Sequence, residues 1–177
     1  MPEGPEVKRI VERLNKRLAG EELRAIHFEN ESYCSKQVRD QIHDLRAVLD
    51  DKPLKIDGIN CKGKFIWFTL NGGEWEIWHT LGMSGTWRTY NPKNHVMLKL
   101  ETLDGKLTYY RDTRRFGTFK IFHKDNSTLD KKLATLGPDM LNDPPSFDEF
   151  VMRLRKKNHW NILMVVFLYY QKKFFII

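Results

Sequence analysis

The six residues at the start of the chain, Met1-Pro2-Glu3-Gly4-Pro5-Glu6, contain groups that can act in covalent catalysis. Removal of the initiator methionine would leave Pro2 with a free secondary amine. A terminal amine has a pKa of about 8, below that of lysine, so a usable neutral fraction exists at about pH 7. Such an amine can attack the sugar C1′ of a damaged nucleotide and form an iminium. The adjacent carboxyl group of Glu3 can protonate the sugar ring oxygen and help to open the ring.

The same hexapeptide also has a purely structural interpretation, in which it only begins a helix. Pro5 suits the first turn of a helix, and Glu3 and Glu6 suit the positive end of the helix dipole. Because short motifs often occur by chance, these residues alone leave both interpretations open.

Composition limits the classes of protein to consider. An apolar share of 41% and a charged share of 30% in 177 residues are typical of a globular protein with a substantial core. The formal net charge of +7 favours a polyanionic partner, with nucleic acid first and an acidic membrane surface second. Cys34 and Cys61 have no zinc-ligand spacing, so we expect neither a metal nor a cofactor, and a reducing compartment is the simplest interpretation.

Two helices are predicted before the middle of the chain. Apolar residues at helical spacing predict a helix over residues 5–18, which Gly20 should end. Similar spacing predicts a second, shorter helix around residues 38–49. Both helices would flank the segments that carry the candidate chemistry.

The remaining pattern is that of antiparallel strands. Residues 65–70 and 75–78 flank Asn71-Gly72-Gly73, which predicts a hairpin. Alternation predicts further strands around 96–100, 107–109 and 118–122. The predicted fold is therefore α+β and mainly β, an antiparallel β-sandwich with an amino-terminal helix, followed by an incomplete helical second domain.

Four ordered motifs then give a specific resemblance. The start Met1-Pro2-Glu3-Gly4-Pro5-Glu6-Val7 resembles that of the formamidopyrimidine-DNA glycosylase/endonuclease VIII (Fpg/Nei) family, in which this proline is the nucleophile and this glutamate the catalytic acid. Lys62-Gly63-Lys64 resembles the lysine-bearing hairpin of the family. Leu81 to Gly85 resembles its methionine loop, and Asp112 to Gly117 resembles its arginine-phenylalanine loop. The resemblance covers residues 1 to 158 and implies catalytic roles for Pro2, Glu3 and Lys64.

The resemblance also implies a DNA-binding set. Met83, Arg114 and Phe116 match the residues that fill the hole left by a flipped-out nucleotide, since flipping costs a few kcal/mol. Arg115 can hold a phosphate. Met83 and Phe116 could instead be core residues, and Lys64 could be an ordinary solvated lysine.

Two histidines need separate treatment. His95 precedes a strand and can contact phosphate, although an ordinary surface histidine is an equal alternative. The family often has a histidine directly before its Leu-Gly-Met segment, but Thr80 holds that place here and His79 lies one residue earlier. We therefore assign no role to His79.

The resemblance ends before the chain does. We expect a catalytic domain over residues 1–135, a linker and the start of a helix–two-turn–helix domain over 136–158, and a divergent tail over 159–177. Family members normally continue with a complete helix–two-turn–helix motif and a zinc finger or zincless equivalent, and neither is recognisable here. The hypothesis is a truncated product of a frameshift, a retained intron or an altered carboxyl terminus.

The sequence thus predicts a bifunctional DNA glycosylase and abasic-site lyase that excises oxidised bases. The Met-Pro-Glu-Gly-Pro-Glu start is more like the Nei branch, which implies oxidised pyrimidines. The expected partner is damaged double-stranded DNA, with no membrane association, and the protein should be an intracellular monomer. The alternatives are a catalytically weak or inactive DNA-binding fragment and a generic basic β-domain.

Overall fold

The computed structural model describes residues 1–29, 36–149 and 152, with the side chains of 36–41 and 126 left out. The chain divides into two compact units, Met1–Gly137 and Pro138–Ile177. The helices and strands of the first unit are, in chain order, α1 (Gly4–Leu18), β1 (Glu22–Phe28), α2 (Lys36–Asp51), β2 (Leu54–Lys62), β3 (Phe65–Leu70), β4 (Trp75–Thr80), β5 (Thr86–Arg88), β6 (Val96–Thr102), β7 (Leu107–Arg111), β8 (Thr118–His123) and α3 (Leu129–Thr135).

Helix α1 forms where its apolar spacing predicts, one residue earlier than expected. Its buried face consists of five aliphatic side chains at helical spacing: Val7, Ile10, Val11, Leu14 and Leu18. The side chain of Asn15 accepts the N–H of Ile59 at 2.8 Å and donates to the carbonyl of the same residue. This pair of bonds fixes the helix against β2, because the amide satisfies both polar groups of one strand residue.

All strand pairings are antiparallel, in the order β5-β7-β6-β1-β2-β3-β4-β8. Only two residue pairs, Glu22 with Lys55 and Leu23 with Leu54, join β1 to β2. The order therefore separates into two four-stranded halves, β5-β7-β6-β1 and β2-β3-β4-β8, joined at a short seam.

The two halves face each other across one core. The ring of Phe28 on β1 meets that of Phe119 on β8 at 5.6 Å, although these strands are far apart in the sheet order. The ring of His79 on β4 lies 4.5 Å from that of Tyr110 on β7. Contacts between strands at opposite ends of the order confirm the predicted antiparallel β-sandwich with an amino-terminal helix.

The structure corrects the strand pattern in two places. Strands β1, β2 and β5 and helix α3 were not among the predicted elements. In β6, the alternation predicted Val96 and Leu98 on one face, whereas the adjacent residues Met97 and Leu98 are both buried. An irregularity in the pairing with β7 between Val96 and Leu98 accounts for this, because a bulge changes which side chains face the core.

Helix α2 confirms the second predicted helix, and Ile42, Leu45 and Leu49 are buried on it. In the second unit, residues 147–149 are helical and the N–H of Glu149 donates to Ser146 Oγ at 3.2 Å, a predicted cap. Met152 is also helical, and the other residues of that predicted helix and residues 159–177 lie outside the described residues. No helix within the described ranges is long and apolar enough to cross a bilayer.

Candidate nucleic-acid interface and reaction site

The strand register brings the predicted lysine, methionine and phenylalanine segments to one end of the sheet. Lys62 pairs with Phe65, Phe65 with Thr80, and Thr80 with Thr118. The lysine turn follows Lys62, the methionine loop follows Thr80, and the phenylalanine loop precedes Thr118. Because paired residues lie side by side, these three connections leave the sheet at the same edge.

The other half of the sandwich adds two connections at the same place. Arg111, the last residue of β7, pairs with both Thr86 and Val96. His95 therefore lies next to the start of the phenylalanine loop, and its carbonyl accepts the N–H of Asp112 at 3.0 Å. The methionine loop, which runs from β4 to β5, links the two halves at this edge.

Asp112 organises both loops. One carboxylate oxygen accepts Ser84 Oγ at 2.5 Å and the N–H of Arg114 at 3.2 Å, and the other accepts the N–H of Gly117 at 2.8 Å. The hydroxyl of Tyr110 reaches the second oxygen at 3.4 Å and the carbonyl of Leu81 at 3.3 Å. A single buried carboxylate thus holds the methionine loop and the phenylalanine loop together.

The protonation state of Asp112 follows from these bonds. Burial by itself would raise the pKa of this fully enclosed carboxyl group. The donors from Ser84, Gly117 and Arg114 together outweigh burial, so the pKa of Asp112 lies below its usual value. The group is therefore ionised at neutral pH, which strengthens each bond that it accepts.

Two glycines allow the loops to pack this closely. Gly82 has a φ of +61°, and a Cβ there would lie 2.5 Å from the backbone nitrogen of Gly117 and the carbonyl carbon of Phe116. A Cβ on Gly85 would collide with the Leu81 carbonyl and the Tyr110 hydroxyl. Both positions require glycine because other atoms of the protein already occupy the space that a side chain would need.

The three predicted void-filling residues project from this assembly into solvent. Met83 is 41% exposed and Phe116 is 61% exposed, so neither is a core residue. Arg114 Nη1 donates to Met83 Sδ at 3.4 Å, which brings two of the three together. Arg115, also exposed, has a φ of +57° in the same loop. Large exposed apolar side chains beside arginines suit a surface that meets stacked bases and phosphates.

A buried histidine lies beneath the loops. His79 is fully buried among the rings of Trp87, Tyr110 and Phe119, and its Nδ1 lies 2.8 Å from the carbonyl oxygen of Thr118. Burial lowers the pKa of His79 to about 4, so the ring is neutral at physiological pH. Its other nitrogen, Nε2, is buried and has no hydrogen-bond partner among the residues that the structure describes.

The amino terminus meets the same edge through a groove between α1 and β5. The residues that line the part of the groove containing Pro2 also include Gly85 and Thr86, just after the methionine loop. Glu3 is the residue before the first turn of α1, and Glu6 Oε2 accepts its N–H at 2.9 Å. This bond is half of a capping box and holds the peptide on which both predicted catalytic groups depend.

The other two predicted residues occupy turns at this edge. Lys64 is exposed in the tight turn between β2 and β3, after Gly63, whose φ is +58°. His95 is exposed directly before β6 and has a φ of +63°. Within the described residues, neither side chain forms a hydrogen bond or an ion pair, so both are available to a ligand.

Sequence reasoning missed three functional positions. It gave no role to Asp112, Ser84 or His79, although all three lie beneath the exposed side chains of Met83, Arg114 and Phe116 or hold their loops. The signal for Asp112 was present in Asp-Thr-Arg-Arg, because an aspartate that begins a turn commonly accepts nearby N–H groups. Nothing in the sequence joined Ser84 to Asp112, since their bond spans 28 residues. In the described part of the chain, no group of three or more His, Cys, Asp or Glu side chains could hold a metal ion.

Comparison with known proteins completes the description. A family model described as the formamidopyrimidine-DNA glycosylase N-terminal domain matches residues 1–119. A formamidopyrimidine-DNA glycosylase of Oceanobacillus iheyensis is 26% identical over 164 residues, which are 90% of this chain and 56% of the relative. The chain therefore spans about half the length of the curated relatives it matches.

Solved structures agree with the sequence match. The formamidopyrimidine-DNA glycosylase of Lactococcus lactis, bound non-covalently to DNA that contains an abasic site, superposes with a TM-score of 0.70 and 26% identity. The match covers 88% of this chain and 57% of that one. The same organism's enzyme with DNA that contains an oxidised pyrimidine gives a TM-score of 0.61 at 26% identity, over 75% of this chain and 48% of that one.

Proposed function

This chain belongs to the formamidopyrimidine-DNA glycosylase family, and we propose that it excises oxidised bases from double-stranded DNA as a bifunctional glycosylase and abasic-site lyase. The observation that carries the proposal is the meeting of Pro2, the methionine loop and the phenylalanine loop at one edge of the sandwich. Nucleophile and void-filling side chains must lie at one place if a nucleotide is to be extruded and attacked.

The chemical step uses the amine that Pro2 has once Met1 is removed. Its nitrogen forms a bond to C1′ of the extruded nucleotide, and the bond from C1′ to the base breaks, so the base leaves with a proton. Glu3 protonates the sugar ring oxygen as the ring opens, which leaves a cationic iminium between Pro2 and C1′. Loss of a proton from C2′ then expels the 3′ phosphate, and a second elimination expels the 5′ phosphate.

The remaining predicted residues hold the DNA. Lys64, on its exposed turn, binds the phosphate beside the lesion, and Arg115 and His95 contact further phosphates. Met83 and Phe116 occupy the vacated position in the duplex, and Arg114 bonds to the base left without a partner. These contacts offset the few kcal/mol that flipping a nucleotide costs.

Oxidised pyrimidines are the proposed preference, because the Met-Pro-Glu-Gly-Pro-Glu start favours the Nei branch. The Lactococcus structure with an oxidised pyrimidine supports the inclusion of such lesions within the family. Excision rates on matched duplexes that contain an oxidised pyrimidine or an oxidised purine would test this part by itself. A faster rate on the purine duplex would overturn the preference and leave the enzymatic proposal intact.

A second candidate is a DNA-binding fragment with little or no turnover. The observation that favours it is the span of the chain, which is about half the length of its relatives. Binding that depends on phosphate contacts should weaken as salt rises. Damaged DNA would still be the ligand, and the two candidates differ in whether a covalent bond to the sugar forms.

Borohydride trapping on an abasic-site duplex separates the two candidates. The reagent reduces the iminium to a stable amine, so the unaltered chain and a Pro5→Ala control should become crosslinked to DNA. Pro2→Gly, or a form that retains Met1, should give little or no crosslink. Mass spectrometry of the intact chain establishes whether Met1 is absent in each sample. Binding without a trapped adduct from the unaltered chain lacking Met1 would favour the fragment.

A further inference from the structure

The groove between α1 and β5 extends well beyond Pro2. The part that contains Pro2 shares Ile10, Arg13 and Arg88 with a second part, so the two are continuous. The second part is also bordered by Arg17, Trp87 and Tyr90. We call the whole feature the α1–β5 groove. It leads from the proposed nucleophile along the first helix, away from the methionine and phenylalanine loops.

Arginines line this groove along its length. Arg9, Arg13 and Arg17 recur every four residues of α1, so they lie on one side of the helix with a rise of about 6 Å between neighbours. Arg88 contributes a fourth guanidinium from β5. Three arginines along one side of α1, with Arg88 on the β5 side of both parts of the groove, form a track suited to successive phosphates, which arginine binds in a planar, bidentate manner.

Most of these charges have no protein partner. In the described part of the chain, the guanidinium groups of Arg9, Arg13 and Arg88 form neither a hydrogen bond nor an ion pair. Arg17 is held in place, because it donates to Thr108 Oγ1 and to the carbonyl of Leu107, both at 3.0 Å. The α1–β5 groove thus combines one fixed cation with three that remain available to a ligand.

The acidic residues of the groove do not cancel this charge. Glu6 and Glu12 are the two carboxylates on its border, against the four arginines. Glu6 already accepts the N–H of Glu3. A net positive groove of this kind favours a polyanion over an isolated small anion, because several weak contacts add along a strand.

An aromatic residue marks the far end of the groove. Tyr90 is 63% exposed, the largest exposed fraction among the aromatic side chains described, and it lies two residues after Arg88 in the chain. A tyrosine beside a line of arginines is the combination by which proteins hold single strands, since bases stack on the ring while cations follow the backbone. Duplex DNA, whose bases are stacked on each other, would not use this ring.

We propose that the α1–β5 groove binds a single-stranded segment of nucleic acid, with phosphates on Arg9, Arg13 and Arg88 and a base on Tyr90. The proposal depends on the proposed function only for the origin of the strand, which would pass the Pro2 site. It adds a second binding surface to the duplex-facing loops.

Salt-dependent binding to a fluorescent oligothymidylate tests the groove directly. The double variant Arg9→Gln/Arg13→Gln removes two free charges and keeps residues that favour helices. Each lost phosphate contact should reduce the slope of log affinity against log salt by about 0.7, so the double variant should lose about 1.4. Lys8→Gln/Arg24→Gln is the matched control, because it removes the same net charge at positions outside the groove.

Tyr90→Ala provides an independent measurement. It should weaken binding of the single strand about fivefold or more without a change in the salt slope, and it should leave affinity for an intact duplex unaltered. Thermal unfolding of each variant checks that the fold is retained. An equal slope for the two double variants would overturn the proposal, because it would reduce the effect to net charge.

The proposed enzymatic function has a different readout. If the unaltered chain lacking Met1 gives no borohydride adduct while the groove variants show the expected slope, the groove stands and the enzymatic function falls. If the adduct forms and the oligothymidylate does not bind the unaltered chain, the groove proposal is wrong and the enzymatic function stands. Preferential capture of an acidic polypeptide over the oligothymidylate would also overturn the groove proposal.

Discussion

The two parts of the reaction site are held in different ways. Met83, Arg114 and Phe116 lie on two loops. A buried carboxylate, two crowded glycines and a neutral histidine pack beneath these loops and hold them in place. The amino terminus is an extension of α1, and the bond from Glu3 to Glu6 is the contact that steadies it. The loops are determined by long-range packing, whereas Pro2, the proposed nucleophile, is positioned by one helix.

This difference teaches which requirement is structural and which is chemical. Side chains that replace an extruded nucleotide must hold their place against stacked bases, so rigid support is useful. A nucleophile needs access and freedom to follow C1′ as bonds change. We therefore expect substitutions beneath the loops to cost stability, and substitutions at the amino terminus to cost chemistry.

The largest expected effect is on Gly82. Gly82→Ala should destabilise the protein by about 4 kcal/mol, because a strained positive φ and a steric clash with residues 116–117 act together. Urea unfolding measures the change. Gly63→Ala is the matched control, with a φ of +58° and nothing within 4 Å of the added carbon, and should cost about 1 kcal/mol. Equal losses at both positions would remove the distinction between crowded and open turns.

Asp112 comes next. Asp112→Asn should cost about 3 kcal/mol, because a neutral amide cannot accept all the donors that converge on the carboxylate. Binding of abasic DNA should weaken as well, since Arg114 and Phe116 lose their support. Asp57→Asn is a control at an exposed carboxylate that accepts one N–H, from Gly72. A stable Asp112→Asn protein with unaltered DNA binding would show that the loops are held by packing alone.

A smaller loss of stability should appear as the pH falls. His79 has a pKa of about 4 when folded and about 6.5 when unfolded, so the unfolded state binds more protons as pH falls below 6.5. Stability should decline by about 2 kcal/mol between pH 7 and pH 5. This window lies above the lowered pKa of Asp112, whose contribution is lost only at more acidic pH.

The variant His79→Gln isolates this contribution. Its free energy of unfolding should change little between pH 7 and pH 5, whatever its absolute stability. His43→Gln, at an exposed position on α2, should retain the decline of the unaltered chain. The same decline in both variants would remove His79 from the explanation.

The smallest expected effect is at the amino terminus. Glu6→Ala removes the acceptor for the N–H of Glu3 and should cost below about 1 kcal/mol, the usual contribution of a cap. The yield of trapped adduct should fall even though the free energy of unfolding changes little. Asp44→Ala removes an exposed carboxylate on α2, outside the residues that line the α1–β5 groove, and should leave that yield unaltered. A loss of several kcal/mol in Glu6→Ala would mean that the terminus is as firmly fixed as the loops.

Sequence patterns predicted the elements that obey a single period. Helix α1 shows one buried face at a regular spacing, which predicted it, whereas β3 and β4 were found from the apolar residues on either side of the Asn71-Gly72-Gly73 turn. Strand β7 is buried on both faces, with Thr108, Tyr109 and Tyr110 all enclosed, so alternation describes it poorly. Strand β5 has three residues, too few to show a period.

The candidate site divides in the same way. Pro2, Met83 and Phe116 were predicted because each lies in a short motif of adjacent residues. Asp112 and His79 were missed because their roles depend on partners 28 and 39 residues away, which a local pattern does not contain. Family resemblance supplied what spacing could not, since nothing in the local sequence assigns Lys64 or Arg114 to DNA.

The two halves of the sandwich are joined at both of its ends. Glu22–Lys55 and Leu23–Leu54 are the strand pairs that join the two halves edge to edge, and two backbone bonds of Ile56, with Gly20 and Glu21, extend this short seam. At the opposite end of the sandwich, the hydrogen bond from Ser84 to Asp112 joins the loop that follows β4 to the residue that follows β7. Loss of this bond in Ser84→Ala should loosen that end, and faster hydrogen exchange of the Arg114 and Gly117 N–H groups would report it.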